Sequence, residues 1–319
     1  MTIKMARHGD IELAYETTGA PTGEPLLLIS GIAQMLIWHD DIREGLVERG
    51  FQVARFDNRD TGLSTHLHDA GQPSKLSLLM RPSRAVRYHL TDLADDAVAV
   101  LDALGWPSAH VVGEALGAMI AQSMAVRHPR RVRSLTSIAS TPSPRIGRPN
   151  ARTLLRIFKV GRKPVTSAED YAEHLVELDA ALGSPDYPAD EKWLRELGRR
   201  SFERGHDQAG VERLSAAMQA SGDRRGELAG LRVPTLVVHG TADQVFRPVG
   251  GRATATAIPG ARLVTYPGMA SHVPLALWPA VIDEIAAVAG INADTRGVPV
   301  ARAEKTTLSS EGPGQIVGT

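Results

Sequence analysis

Cysteine is absent from the 319 residues. That excludes disulfides, thiolate metal sites and cysteine nucleophiles. There is no surplus charge of either sign, because 36 Lys and Arg balance 36 Asp and Glu. Sequence-independent binding of nucleic acid draws on a cationic excess that displaces phosphate counterions, so nucleic acid is not expected as a partner. Nowhere does an apolar run reach the roughly 18 residues of a membrane-spanning helix, so no membrane association is expected. Residues 1–19, MTIKMARHGDIELAYETTG, hold no apolar stretch of signal-peptide length, and a cytoplasmic protein is the expectation. Aromatic residues supply only 4 % of the chain, but hydrophobic residues supply 43 % and charged residues 23 %. That balance excludes wholesale disorder and leaves ample material for a large core.

The first half alternates strand and helix signals. IELAYETTG (11–19) alternates with period two, as a half-buried strand does. PLLLISG (25–31) is continuously apolar, as a strand covered on both faces would be. A short helix over 40–49 leads to the strand FQVARFD (51–57). TDLADDAVAVLDALG (91–105) reads as a helix with Thr91 as N-cap and Gly105 closing it. The strand HVVG (110–113), a helix over 115–129 and the strand VRSLTSIAS (132–140) complete a β-α-β rhythm. Such a rhythm predicts an α/β fold with a mostly parallel sheet of about eight strands and helices on both faces. From Thr141 only helical periodicity continues, around 150–160, 168–182, 189–204 and 208–221, which predicts a helical cap over 141–229. VPTLVVHG (233–240), ARLVTYPG (261–268) and the helix 275–290 resume the core, which thus comprises 1–140 and 230–290. The polar tail 291–319 lacks periodicity and is expected to be disordered.

The informative string is HVVGEALGAMIAQ (110–122). A strand runs into Gly113, Gly117 follows Ala115 by two, and a helix begins at once. Small residues so spaced allow a strand-to-helix turn tight enough to expose the central side chain above the sheet. Residue 115 would then sit at a helix N-terminus, where backbone N–H groups favour a developing anion.

This turn resembles the nucleophile elbow, G-x-S-x-G, of the α/β-hydrolase family, with Ala115 where the family has serine. Four further strings resemble family motifs in family order: LLLISGIAQMLIW (26–38), FDNRDTGLS (56–64), HGTADQVF (239–246) and YPGMASHVP (266–274). The D-N-R-D-T-G variant is similar to bacterial aclacinomycin-methylesterase-like hydrolases. The resemblance implies Ala115, Asp243 and His272 at the nucleophile, acid and base positions. It implies the Ile32 and Leu116 N–H groups as the oxyanion hole, no cofactor, and Asp243 hydrogen-bonded to the His272 ring. The methylesterase-like subfamily places its histidine directly after G-M-G, a position that Ser271 holds here. The flank S-H-V-P matches other branches, which points to His272 with a one-residue adjustment. Trp38, beside the oxyanion loop, is either core or pocket wall. Leu154, Leu155, Phe158, Leu175, Leu178 and Trp193 would line an apolar pocket suited to a hydrophobic small molecule.

An alanine at 115 forms no acyl-enzyme, and loss of a serine nucleophile alone costs on the order of a millionfold in turnover. Three readings fit: a serine esterase site with its nucleophile replaced, a natural non-hydrolytic enzyme using His272 and Asp243 as acid–base pair, or a ligand-binding pseudoenzyme. A monomer or homodimer fits each. His66 and His68 sit at i, i+2 in a polar loop with no third ligand visible in sequence, so no metal is expected. Asp57, Arg59 and Asp60 are read as tying their loop by ion pairs and turn hydrogen bonds. The arginines of 141–229 are read as a solvated face, and His239 as a strand-end residue.

Overall fold

Strand β3 (Glu24–Ile29) carries Leu26, Leu27, Leu28 and Ile29 with no exposed surface. It can do so because it pairs in parallel with β4 (Phe51–Phe56) on one side and β5 (Ala109–Glu114) on the other. The computed structural model describes residues 2–71, 86–291 and 304–305. Adding β1 (Lys4–His8), β2 (Ile11–Thr18), β6 (Val132–Ile138), β7 (Thr235–Gly240), β8 (Arg262–Tyr266) and β9 (Glu304–Lys305), the order is β1-β2-β4-β3-β5-β6-β7-β8-β9. From β4 through β8 every pairing is parallel, and the antiparallel pairings lie at the two ends.

Alternation along the central strands sorts the core into two layers. Leu27, Ile29 and Val111 face α2 (Leu90–Ala103) and α3 (Leu116–Arg127), packing with Leu93, Val100, Met119 and Ile120. Leu26, Leu28 and Val112 belong to the opposite layer, with Ile42 and Leu46 of α1 (Asp40–Glu48) and with Val281 and Ile285 of a C-terminal helix. Each such side chain, fully buried, contributes roughly 1.5–3 kcal/mol.

Between β6 and β7 come helices only, among the described residues: α4 (Ala151–Gly161), α5 (Ala168–Leu182), α6 (Glu191–Glu203), α7 (Gln208–Ala220) and α8 (Arg225–Leu228). Then α9 (Val249–Ala257) and α10 (Trp278–Val288) flank β8. Arginines hold this insertion to the sheet. Arg204 Nη2 donates to Asp57 Oδ2 at 2.5 Å, Arg213 makes two bonds to Asp60 at 2.9 and 2.7 Å, and Arg224 donates to Gln122 Oε1 and the Thr141 carbonyl. The solvated arginine face expected for the insertion is therefore corrected at Arg213 and Arg224, which are buried against acceptors in the core. Asp57, Arg59 and Asp60 do tie their loop, with Arg59 bonded twice to Asp96 at 2.6 and 2.7 Å.

Other expectations shift slightly. Helix α2 begins at Leu90 rather than after Thr91, because His89 is its capping residue and donates its N–H to Asp92 Oδ2 at 2.7 Å. Strand β1 carried no clear periodicity of its own and forms as an edge against β2. The expected disorder of 291–319 falls mostly outside the described residues, but Glu304–Lys305 pairs antiparallel with β8. Among the described residues no helix is long and apolar enough to cross a membrane.

Candidate functional site

The turn from β5 to α3 is strained and pinned. Ala115 has φ 55° and ψ −117°, a region that typically costs a non-glycine residue about 1–3 kcal/mol. The Ala115 N–H donates to the Ile138 carbonyl at 3.0 Å, and Ser140 Oγ donates to the Ala115 carbonyl at 2.7 Å. Neighbouring glycines make the turn possible: a Cβ on Gly117 would collide with the Ile29 carbonyl oxygen, and one on Gly113 with that of Gly117. Ala115 thus stands at the N-terminus of α3, on the wall of a large cavity.

The cavity has a volume of about 1430 Å³. Ile32, Ala115, Leu116 and His272 line it from the sheet side, and Leu154, Leu175, Leu178 and Trp193 line it from the inserted helices. Leu116 opens α3, so its N–H has no partner within the helix. The backbone of Gly31 lies close to it, since a Cβ built there would stand 3.3 Å from Leu116 N, which brings Ile32 alongside.

Three expected pocket residues are corrected, the first being Leu155, which is 67 % exposed and does not line the cavity. Trp38 is fully buried in the core, edge-on to Trp278 with ring centroids 5.8 Å apart, and does not line the cavity. Phe158 is 57 % exposed beneath the Arg162 guanidinium, and Ile157 lines the cavity in its stead. At about 100° per residue, Phe158 faces well away from Ile157 on the same helix.

His272 and Ser271 both line the cavity, so either histidine register would have opened onto it. The expected hydrogen bond between Asp243 and His272 is not made. Asp243 Oδ1 accepts the Val245 and Phe246 N–H groups at 2.8 and 2.9 Å, while buried Oδ2 has no hydrogen-bond partner. His239, buried rather than merely terminal, places Nε2 2.5 Å from the Phe246 carbonyl oxygen and 3.4 Å from Asp243 Oδ2. His272 Nε2 instead faces Asp179 Oδ1 of α5 at 3.5 Å. Low-polarity surroundings push the His272 pKa down, and Asp179 and then Asp243 pull it up. The insertion touches the same loop twice more, where Ser184 Oγ accepts from the Ala270 N–H at 2.9 Å and Tyr187 OH donates to the Pro267 carbonyl at 3.3 Å.

Glu114 is the second carboxyl that sequence reasoning missed. It lines the cavity beside Ala115, and its Oε1 accepts the Val273 N–H at 3.1 Å. Burial, reinforced by the Asp243 charge and only partly offset by that hydrogen bond, pushes its pKa up to about 7. A signal existed for both residues. Glu114 is the one carboxylate inside an otherwise apolar strand end, and Asp179 interrupts the apolar stripe Leu175, Leu178, Leu182 at helical spacing.

Comparison with known proteins agrees with this fold. A family model described as the alpha/beta hydrolase fold matches residues 24–274. Rhodomycin D methylesterase DauP of a Streptomyces species is 30 % identical over 87 % of this chain and 94 % of its own. Rhodomycin D methylesterase DnrP of Streptomyces peucetius is 31 % identical over the same shares. The crystal structure of a hydrolase from Pseudomonas aeruginosa superposes with a TM-score of 0.70 at 26 % identity, covering 90 % of this chain and 98 % of that one.

Proposed function

The chain belongs to the α/β-hydrolase fold family, and from that premise we propose that its cavity receives a hydrophobic small-molecule ester or lactone of the kind met in secondary metabolism. The insertion acts as a cap over the substrate. The substrate's carbonyl oxygen lies against the Leu116 and Ile32 N–H groups, donors fixed before the substrate arrives. His272 is the acid–base group beside it. In a serine hydrolase the next step is attack by a hydroxyl whose proton the imidazole takes. Ala115 offers a methyl group at that place, so cleavage through an acyl-enzyme is impaired by roughly a millionfold relative to a serine form.

The observation that carries this reading is Ala115 itself, held at φ 55° in an otherwise complete elbow on the cavity wall. Kinship with methylesterases and the apolar cavity support the substrate class. The test is a thermal-shift panel run with the wild-type chain. Hydrophobic esters and lactones should raise Tm, and stabilisation only by nucleotides or sugar phosphates would overturn the assignment.

One observation favours a second reading, a non-hydrolytic enzyme such as a cofactor-free cyclase, lyase or isomerase. His272 has the Asp179 carboxyl at 3.5 Å, and the Glu114 carboxyl is bonded to the adjoining Val273 N–H. A base beside an oxyanion hole can remove a proton α to a carbonyl and stabilise the resulting enolate without any nucleophile. Under this reading the wild-type chain exchanges a substrate's α-proton for deuterium in heavy water, and His272→Ala abolishes the exchange.

A further inference from the structure

Away from the cavity, a cluster of metal-ligating side chains joins the core to the insertion. His66, His68 and Asp207 bring one donor atom each within 4.8 Å of one another, the one such group among the described residues. The ligand missing from the sequence motif comes from Asp207, 141 residues beyond His66 and at the N-terminus of α7. Its two oxygens divide their work. Oδ1 accepts the Ala209 N–H at 2.9 Å and caps the helix. Oδ2 turns to the histidines, 3.2 Å from His66 Nδ1 and 3.7 Å from His68 Nδ1.

Hydrogen-bond chemistry makes His66 informative. Its Nε2 lies 2.9 Å from the Gly62 carbonyl oxygen, which can only accept, so that contact is a hydrogen bond when the ring proton sits on Nε2. In the neutral ring, Nδ1 then presents a lone pair to a carboxylate oxygen. Two acceptors at 3.2 Å require positive charge between them, either a second ring proton or a cation. The local charge allows a cation. Arg213 donates to Asp207 Oδ2 at 2.9 Å but also makes two hydrogen bonds to Asp60, so two carboxylates share one guanidinium.

We propose that His66, His68 and Asp207 bind a divalent transition-metal ion of the zinc class, which staples the loop after β4 to helix α7. Metal–nitrogen and metal–oxygen bonds of about 2.0–2.2 Å in tetrahedral geometry set donor atoms about 3.3–3.5 Å apart. The distances of 3.2 and 3.7 Å bracket that spacing. The Gly62 carbonyl supplies the outer hydrogen bond that fixes the tautomer of a ligating imidazole. The His68 side chain is 73 % exposed, which leaves the ring room to turn toward the ion and water access to complete the coordination.

Isothermal titration of the full-length protein with zinc sulfate tests this, with cobalt(II) absorption as a second readout. The wild type should take up one zinc ion per chain in the cluster and gain Tm as it does so. His68→Ala should weaken uptake by about tenfold or more and lose the Tm gain, because it removes a ligand whose side chain is largely exposed. Asp207→Asn, which keeps an oxygen for the helix cap, should do the same. Equal zinc affinity in all three proteins would place binding at other histidines and overturn the proposal. So would absence of uptake by the wild type at roughly a hundredfold excess of zinc, which would mean that a second proton on His66 holds the contact.

Discussion

Asp179 Oδ1 stands 3.5 Å from His272 Nε2, across the boundary between helix α5 and the loop that follows β8. The carboxylate that the histidine meets is therefore one from the inserted helices, while Asp243 keeps a buried oxygen without a hydrogen bond. This pairing makes the protonation of His272 depend on where the insertion sits.

Asp179→Asn should lower the His272 pKa below its wild-type value, since Asp179 is the largest influence opposing the burial that depresses it. A ring-proton NMR titration of the two proteins reads this directly. The pair is partly exposed to the cavity, so the same change should cost less than about 1 kcal/mol of stability. An unchanged or raised His272 pKa would show that the two groups do not interact.

Glu114 should give the fold an unusual pH dependence. Its folded-state pKa of about 7 lies above the ordinary value of 4.5, so the native state binds this proton more tightly than the unfolded chain does. The stability it contributes is complete below about pH 4.5 and is lost as pH rises through about 7. Glu114→Gln keeps an acceptor for the Val273 N–H and has no proton to lose. Denaturant unfolding across this range should show a decline of up to about 3 kcal/mol in the wild type that is absent from the variant. Parallel pH profiles for the two proteins would contradict the assignment.

Trp38→Ala should cost about 3–5 kcal/mol, because it empties a fully buried site against Trp278. Phe158→Ala should stay within about 0.5 kcal/mol, since the ring is largely in solvent. Denaturant midpoints read both. Neither change should alter the Tm gain that a hydrophobic ester produces.

Much of this architecture was legible in the sequence, and the exceptions share a cause. Leu26–Ile29 reads as a doubly covered strand because burial on both faces leaves no polar position. Gly113, Ala115 and Gly117 announce the elbow because backbone contacts there exclude side chains. Helical spacing placed Leu154, Leu175 and Trp193 on the cavity. What escaped was pairing across long sequence separations: Arg213 with Asp60, Asp179 with His272, Asp207 with His66. Each partner belongs to a helix whose docking on the core has no local signal. Trp38 and Phe158 were misjudged for a related reason, since the direction a single side chain takes depends on packing that periodicity does not encode.

The most direct test of the account concerns the missing hydroxyl at 115. Ala115→Ser should set a serine at the N-terminus of α3, beside the Leu116 and Ile32 N–H groups and on the same cavity as His272. Intact-mass spectrometry after treatment with a fluorophosphonate probe should show one adduct on Ala115→Ser and none on the wild type. The double variant carrying His272→Ala should again show none, because the serine has lost its base. A correctly folded Ala115→Ser protein that stays unlabelled would contradict the account, because the hydroxyl would then not be the only part missing from a nucleophile site.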